Sequence, residues 1–254
     1  MEKLAQNKTA SGRYALLDEL RGLDLVSMML YHACWDLAFL FGVQMNWYAA
    51  TPGHLWQRSI CWVFILLSGF CVPLGHHTLR RGATVFGAGV LVTAVTLLFM
   101  PEDRVIFGVL TFLGAAMLLT GILEPLLKKV PPAAGLVVAA VLFALCYSVS
   151  SGWVGVGSWK LLLPQGLYAN YLTAFFGFYP EGFFSTDYFA LLPWIFLFWA
   201  GYFGHRSIGR ARMEALRGSV CAPLGWMGRH SLVLYLLHQP VIFGVLWVIF
   251  QIFH

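Results

Sequence analysis

One stretch of sequence decides the fold: LDELRGLDLVSMMLYHACWD, residues 17–36. It is long and apolar enough for a membrane-spanning helix, yet it carries five ionisable side chains that fall within one sector of about 120° on a helix. These side chains, named the polar stripe below, are Asp18, Arg21, Asp24, His32 and Asp36. A charge at the centre of such a helix costs about 2.5–3.5 kcal/mol, whereas a leucine returns only about 0.3–0.6 kcal/mol. We therefore expect the polar stripe to face a protein-lined or water-filled cavity.

The composition of the whole chain indicates an integral membrane protein. Of the 254 residues, 59% are hydrophobic and 11% are charged, and the mean hydropathy is +0.75. A soluble domain of this length cannot bury so much apolar surface in one core, so lipid must solvate most of it. Apolar windows near bilayer-spanning length cover residues 20–41, 56–74, 82–100, 105–123, 133–149, 188–204 and 231–253. The sequence thus predicts an all-α, polytopic bundle of about seven transmembrane helices.

The basic residues predict the orientation of the bundle. If the N-terminus is cytoplasmic, the outer segments hold only Arg58, Arg104 and Lys160 of the 16 lysines and arginines. Cytoplasmic loops carry an excess of such residues, so the asymmetry favours a multi-pass protein of the inner or plasma membrane with its N-terminus inside. Orientation also explains the net charge of +5, so we expect membrane lipids and no nucleic acid as partners.

The expected domain organisation is simple. Residues 1–15 form a cytoplasmic tail, and residues 16–254 form a single transmembrane domain. Residues 150–187 make an irregular, aromatic-rich outer connection, either an interfacial helix with a Trp/Tyr belt or a lid that stacks on a sugar or amphiphile. The five cysteines have no Cys-x-x-Cys spacing, so neither a disulfide framework nor a metal site is expected.

His32 and Asp36 are the first candidates for catalysis. A rise of about 1.5 Å per residue places His32 near the middle of the membrane, with Asp36 one turn further along the same face. A carboxylate at this spacing can fix the tautomer of an imidazole and stabilise its charged form, as acid–base chemistry requires. The alternative is a structural polar pair that joins helices.

Two further histidines are catalytic candidates. His238, beside Gln239, lies within the last apolar window, where an imidazole is unfavourable unless it is used or hydrogen-bonded. His54 lies in the outer loop that precedes the second window and could face a substrate on the outer side, although an exposed loop histidine needs no function.

Candidate cofactor-binding residues cluster towards the inner side. Arg21 could receive a phosphate or simply anchor the helix at the headgroups. Arg80 and Arg81 could meet an anionic cofactor, and anionic lipid is the alternative. We group these three arginines with Asp18 and Gln239 as the residues that would hold a donor cofactor.

Short motifs recur in a definite order along the chain. They are DxxRG at residues 18–22, FxxxSG at 64–69, GVLxxxG at 108–114, STDYFxxLPW at 185–194 and GRHSLxxYLxHQP at 228–240. In this order the chain resembles the bacterial membrane proteins related to the catalytic domain of heparan-alpha-glucosaminide N-acetyltransferase, within the transmembrane acyltransferase superfamily. The ten residues between Arg21 and His32 are also similar to the Arg-x10-His signature of the acyltransferase-3 branch, whose histidine is the proposed catalytic residue.

The resemblance implies an acyl-CoA-dependent transmembrane acyltransferase with no metal. The donor would be cytoplasmic acetyl-CoA, and the acceptor a hydroxyl or amine of a glycan, amino sugar or lipid on the outer side. By analogy the protein would be a homodimer. In the glucosaminide branch the active histidine lies in the outer loop after the first span, a position more like His54 than His32. The alternative function is a membrane transporter or flippase that uses the polar stripe as a substrate or proton path.

Overall fold

The computed structural model describes residues 13–253, most of which are helical. The helices in this range are α1 (Ala15–Trp35), α2 (Asn46–Ala49), α3 (Thr51–Phe70), α4 (Thr78–Phe99), α5 (Val109–Leu127), α6 (Pro132–Cys146), α7 (Tyr171–Ala174), α8 (Leu191–Ser207), α9 (Arg210–Ala215), α10 (Ala222–Arg229) and α11 (Ser231–Phe253). One antiparallel hairpin follows α6, formed by β1 (Trp153–Val156) and β2 (Trp159–Leu162). The predicted cytoplasmic tail lies, up to residue 12, outside the described residues.

Six helical segments between residues 13 and 253 are long and apolar enough to cross a membrane. They are Ala15–Leu40, Thr51–Leu74, Thr78–Phe99, Val109–Leu127, Pro132–Ser151 and Ser231–Ile252. The all-α, polytopic membrane class is therefore confirmed, and six of the seven predicted windows correspond to these segments. The remaining window, 188–204, folds largely as the 17-residue helix α8, which is not among these six segments.

The connection between α6 and α8 differs from the interfacial helix that the sequence allowed. It consists of the β1–β2 hairpin, two 3₁₀ turns and the four-residue α7. Gly155 explains part of the difference, because its φ of +137° and the close approach of the Trp159 backbone exclude a helix there. The aromatic rings pack on one another, as where Tyr179 stacks on Phe183 with centroids 5.5 Å apart.

Two compact units make up the chain. The first contains residues 1–57 and 208–254, described over 13–57 and 208–253, and the second contains residues 58–207. The boundary falls within α3. The first unit thus holds α1, α2, the start of α3 and α9–α11, and the second holds the rest of α3 with α4–α8.

Glycines allow helices of the second unit to pack backbone against backbone. A Cβ atom on Gly69 of α3 would meet the carbonyl of Phe198 in α8, and one on Gly114 of α5 would meet the backbone of Phe86 in α4. Small residues at helix contacts are how membrane helices approach closely without a hydrophobic driving force. The FxxxSG and GVLxxxG motifs therefore have a packing role.

The STDYFxxLPW motif forms hydrogen bonds with the backbone at the start of α5, within the second unit. Asp187 accepts a hydrogen bond at Oδ2 from the backbone N–H of Val109, 2.9 Å away, and so satisfies a free donor of the first helical turn. Ser185 accepts another at Oγ from the N–H of Ile106, also at 2.9 Å. Two motifs that lie about 80 residues apart in sequence thus form one structural joint.

The first unit is assembled around the N-terminal half of α1. A Cβ on Gly22 of α1 would meet the carbonyl of Leu224 in α10, and a Cβ on Gly228 of α10 would meet the carbonyl of Asp18. Each helix therefore contributes one glycine to a contact between two backbones. The DxxRG motif and the start of the GRHS motif are two sides of this contact.

Glu19 fastens the segment before α10 to α1. Its buried carboxylate accepts hydrogen bonds from the Ser219 hydroxyl at 2.5 Å and from the backbone N–H of Val220 at 2.9 Å. Glu19 is not among the residues of the polar stripe, and its sequence context predicted no role for it. The signal that could have found it is the acidic residue itself, because a carboxylate within an apolar helix must find donors.

We expect Gly228→Ala to destabilise the protein by about 1–3 kcal/mol, because the new methyl group has no room beside the α1 backbone. Gly244→Ala in α11 is the matched control, since a Cβ there meets nothing within 4 Å and alanine favours helix. Thermal unfolding in detergent measures both variants. Equal melting temperatures for the two variants would contradict the close backbone contact.

Candidate functional site

Four polar side chains of the first unit meet between α1 and α11. His32 of α1 packs edge to face against His238 of α11, with ring centroids 4.8 Å apart. Asp36 accepts a hydrogen bond at Oδ1 from the amide Nε2 of Gln239, 2.6 Å away. These four residues, named the polar cluster, were all candidate site residues in the sequence. His238 and Gln239 of α11 are about 200 positions away from the two residues that they contact.

Both helices are irregular where they contribute to the polar cluster. After Trp35 the first helix continues as a π-helical turn from Asp36 to Leu40, a geometry that is rare and often found at functional sites. In α11, Pro240 follows Gln239 and has no N–H to donate to the carbonyl of Leu236, four residues earlier. Side-chain contacts therefore have more influence on the geometry of this region than they have in a regular helix pair.

The hydrogen bond of His238 defines its tautomer. Its Nδ1 lies 2.5 Å from the carbonyl oxygen of Tyr235. Because a carbonyl only accepts, Nδ1 must carry a proton, and the neutral ring then has its lone pair on Nε2. That Nε2 is buried and has no hydrogen-bond partner among the described residues. His238 thus presents a basic nitrogen inside the first unit.

Asp36 and Gln239 add two more unpartnered acceptors. Asp36 is fully buried, and its Oδ2 has no partner within residues 13–253. Gln239 turns its NH₂ group towards Asp36, and its buried Oε1 is left without a described partner. The cluster therefore contains three buried acceptor atoms without described partners, and buried acceptors of this kind pair with N–H or O–H groups.

The expected pairing of His32 with Asp36 is not formed among the described side chains. The hydrogen bond of Asp36 goes to Gln239, and the ring of His32 contacts His238. The π-helical turn begins at Asp36, so the regular spacing on which the expectation rested ends at that residue. Gln239 supplies the donor that the carboxylate needs.

The start of α1 is an ion cluster. Asp18 binds the guanidinium of Arg21 at 3.1 Å and that of Arg13 at the same distance. One buried carboxylate thus serves two cations, and this group of three carries a net charge of +1. Arg21 is half-buried, with its charge directed towards Asp18.

The remaining candidate residues lie elsewhere. His54 is exposed in the first turn of α3, which begins at Thr51, so it is not in the loop that the sequence predicted. The structure does not place His54 in the ring contact of His32 with His238. Arg80 and Arg81 are exposed at the start of α4, in the second unit.

A group of packed aromatic rings next to His32 in the first unit, Tyr31, Tyr48 and Trp56, was not predicted from the sequence. Tyr31 packs against Tyr48 with centroids 4.9 Å apart, and the Tyr48 hydroxyl donates to the Tyr31 carbonyl at 3.2 Å. Trp56 donates its indole N–H to Ser27 at 2.8 Å and packs on Tyr31. Burial raises the pKa of Tyr48, so its hydroxyl stays a neutral donor. The aromatic-rich sequence of residues 46–56 was the available signal.

A separate cleft of about 450 Å³ lies in the second unit. Its charged groups already have partners: Lys128 pairs with Glu124 at 3.0 Å, and Arg206 donates to carbonyls at the end of α5. Within residues 13–253, no group of three or more His, Cys, Asp or Glu side chains could hold a metal ion. The polar cluster is therefore the better candidate site.

The fold and the polar cluster define a polytopic membrane protein with a buried, histidine-containing site between two of its helices. Comparison with known families identifies it further. The family described as Heparan-alpha-glucosaminide N-acetyltransferase, catalytic, matches residues 13–240, and the chain belongs to this family. The matched region includes all four residues of the polar cluster, and membership supports an acetyltransferase-type function at a membrane. No curated protein and no solved structure shows a significant match to the chain.

We expect the neutral ring of His238 to be protonated at Nδ1 and free at Nε2. Selective ¹⁵N-histidine labelling and solid-state NMR in lipid bilayers distinguish the two nitrogens, and His238→Asn assigns the signal by its loss. His54, which is exposed, serves as the reference for a ring that exchanges between tautomers. A signal for His238 protonated only at Nε2 would contradict the assignment.

Proposed function

We propose that the protein is an acyl-CoA-dependent transmembrane acyltransferase that moves an acetyl group from acetyl-CoA to a hydroxyl or amine of a glycan or lipid. The observation that carries the proposal is the polar cluster, in which two histidines meet inside the region that matches the family. Family membership supports the acetyl chemistry, and the cluster supports acid–base catalysis in a buried site.

The donor would bind with its nucleotide at the cytoplasmic end of α1. Arg13 and Arg21 share one carboxylate there, which leaves positive charge for phosphate groups. From Arg21 to His32 the helix rises about 16 Å, a span that suits a pantetheine arm. The excess of basic residues on the predicted inner side supports this orientation.

His238 is suited to act as the general base. Its free Nε2 would take the proton of the acceptor while the acceptor nitrogen or oxygen attacks the thioester carbonyl. The carbon–sulfur bond then breaks, and the proton passes to the sulfur of CoA. His32, beside it, would either assist this proton transfer or take the acetyl group first as a nucleophile and then yield it to the acceptor.

The hydrogen-bonding character of the cluster supports an acceptor with hydrogens to donate. Its buried atoms without described partners are Asp36 Oδ2, His238 Nε2 and Gln239 Oε1, all of them acceptors. An amine or a hydroxyl group would supply the missing donors, and a site built to bind such a group discriminates strongly against an analogue that lacks it.

We expect His32→Ala and His238→Asn each to lower the rate of acetyl transfer at least 100-fold, because each removes a ring nitrogen from the reacting centre. The asparagine can still donate to the Tyr235 carbonyl, so that variant loses Nε2 and keeps the local hydrogen bond. The measurement is transfer of radiolabelled acetyl from acetyl-CoA by purified full-length protein in nanodiscs, with thermal unfolding as the check on folding.

His54→Ala is the matched control for this experiment, and we expect its rate to stay within about threefold of wild type because no reacting group is lost. Loss of transfer in this variant alone would make His54 the catalytic histidine. Solute flux through proteoliposomes without CoA, with no transfer, would instead indicate a transporter.

A further inference from the structure

Gln239 was grouped with the donor-binding residues in the sequence, and its geometry points to another role. We propose that Gln239 is a positioning residue: its amide holds Asp36 and thereby fixes α11 against α1 so that His238 faces His32. This inference rests on the proposed function, because it assigns to Gln239 a role in the same reaction.

The bond between Gln239 and Asp36 is short and buried. The distance from Nε2 to Oδ1 is 2.6 Å, and the exposed fraction of Asp36 is 0%. Within the described chain this is the hydrogen bond that the carboxylate of Asp36 accepts, since its Oδ2 has no partner. Removal of the amide would leave a buried carboxylate with no donor, which is among the most destabilising local changes in a protein.

The bond controls the position of His238 through the helix. His238 and Gln239 are consecutive in α11, so a rotation or shift that releases Gln239 from Asp36 also moves the His238 ring. On α1, His32 and Asp36 lie one turn apart. The amide–carboxylate bond and the ring contact at 4.8 Å are therefore two coupled contacts between the same pair of helices.

The local backbone gives this side-chain bond unusual influence. Asp36 begins a π-helical turn, and Pro240 removes a helical hydrogen bond directly after Gln239. Neither helix holds a fully regular backbone at the contact, so its geometry depends more on the side chains that cross between the helices.

The amide of Gln239 has two N–H groups, and one of them donates to Asp36. The second N–H can still donate to another group. The positioning role concerns the bond to Asp36, through which the amide acts on the helix pair.

A carboxyl group in place of the amide tests the positioning role. Titratable groups of α1, α2 and α11 lie near the pair. Tyr48 interacts electrostatically with Asp36, Tyr31 and Cys34. The rings of His32 and Tyr235 contact that of His238, the neighbour of Gln239. In Gln239→Glu the new carboxyl would lie directly against Asp36, so the two acids would share one proton at low pH and repel each other once both are ionised.

We expect the ratio of kcat in Gln239→Glu to kcat in wild type to be near one at the acid end of the pH range. The ratio should fall at least tenfold as pH rises, because the protonated acid donates to Asp36 as the amide does and the ionised acid cannot. A merely structural loss at this position would lower the ratio equally at every pH, and a flat ratio would overturn the proposal.

Gln239→Met adds a test of binding against positioning, because methionine has a similar volume and no donor. We expect kcat to fall at least tenfold while KM for acetyl-CoA stays within about threefold. Gln251→Met, at an exposed position of the same helix, is the control and should leave both constants unchanged. A rise in KM for acetyl-CoA at unchanged kcat would show that Gln239 binds the donor.

The ¹⁵N signal of His238 gives a readout that needs no activity. It should move in Gln239→Met and stay in place in Gln251→Met, and an unmoved signal in Gln239→Met would overturn the positioning role. Should wild type transfer no acetyl group while this signal still moves, the proposed function fails and the positioning of His238 stands. If Gln239→Met does not fold, Gln239→Glu supplies the comparison: relative to wild type at the same pH, its His238 signal should stay in place at acid pH and move as pH rises.

Discussion

A carboxylate inside an apolar helix must find hydrogen-bond donors, and this requirement organises the first unit. α1 and the turn that extends it hold four acidic residues. Asp18 forms ion pairs with two arginines. Glu19 accepts hydrogen bonds from the segment before α10, and Asp36 accepts one from Gln239 of α11. Two of these bonds bring a distant segment to α1. The partners of the carboxylates thus bring α10 and α11 to α1, and one of the contacts that result is the meeting of two histidines.

Most of the motifs that carry the family resemblance contain residues that form helix contacts or helix caps. Gly22 and Gly228 mark the backbone contact of α1 with α10, and Gly69 and Gly114 mark contacts within the second unit. Asp187 caps α5. The HQP segment at the end of the matched region differs from these, because it delivers two side chains to the polar cluster. A family match over this chain therefore reflects mainly a shared architecture. Only a few of the matched residues belong to the candidate site.

The helices and the inward-facing stripe could be predicted because hydropathy and helical periodicity are local properties. The partners could not. The pairing of Asp36 with Gln239 depends on an element about 200 residues away, whereas the spacing of His32 and Asp36 suggested a bond within one helix. The hairpin was missed because the glycines that form it were read as irregular chain, and His54 was placed in a loop because Pro52 and Gly53 interrupt the apolar pattern just inside the start of α3.

The first unit is built from both ends of the described sequence, and this has a consequence for biosynthesis. The ribosome delivers α1 to the membrane long before α10 and α11 exist, since about 180 residues separate them. During that interval Glu19 and Asp36 lack the donors that they bond in the finished protein. Until then, water, the translocon or a chaperone must solvate these carboxylates of the nascent helix. A polypeptide truncated before α10 would keep them without their donors, and quality-control proteases would be expected to remove it.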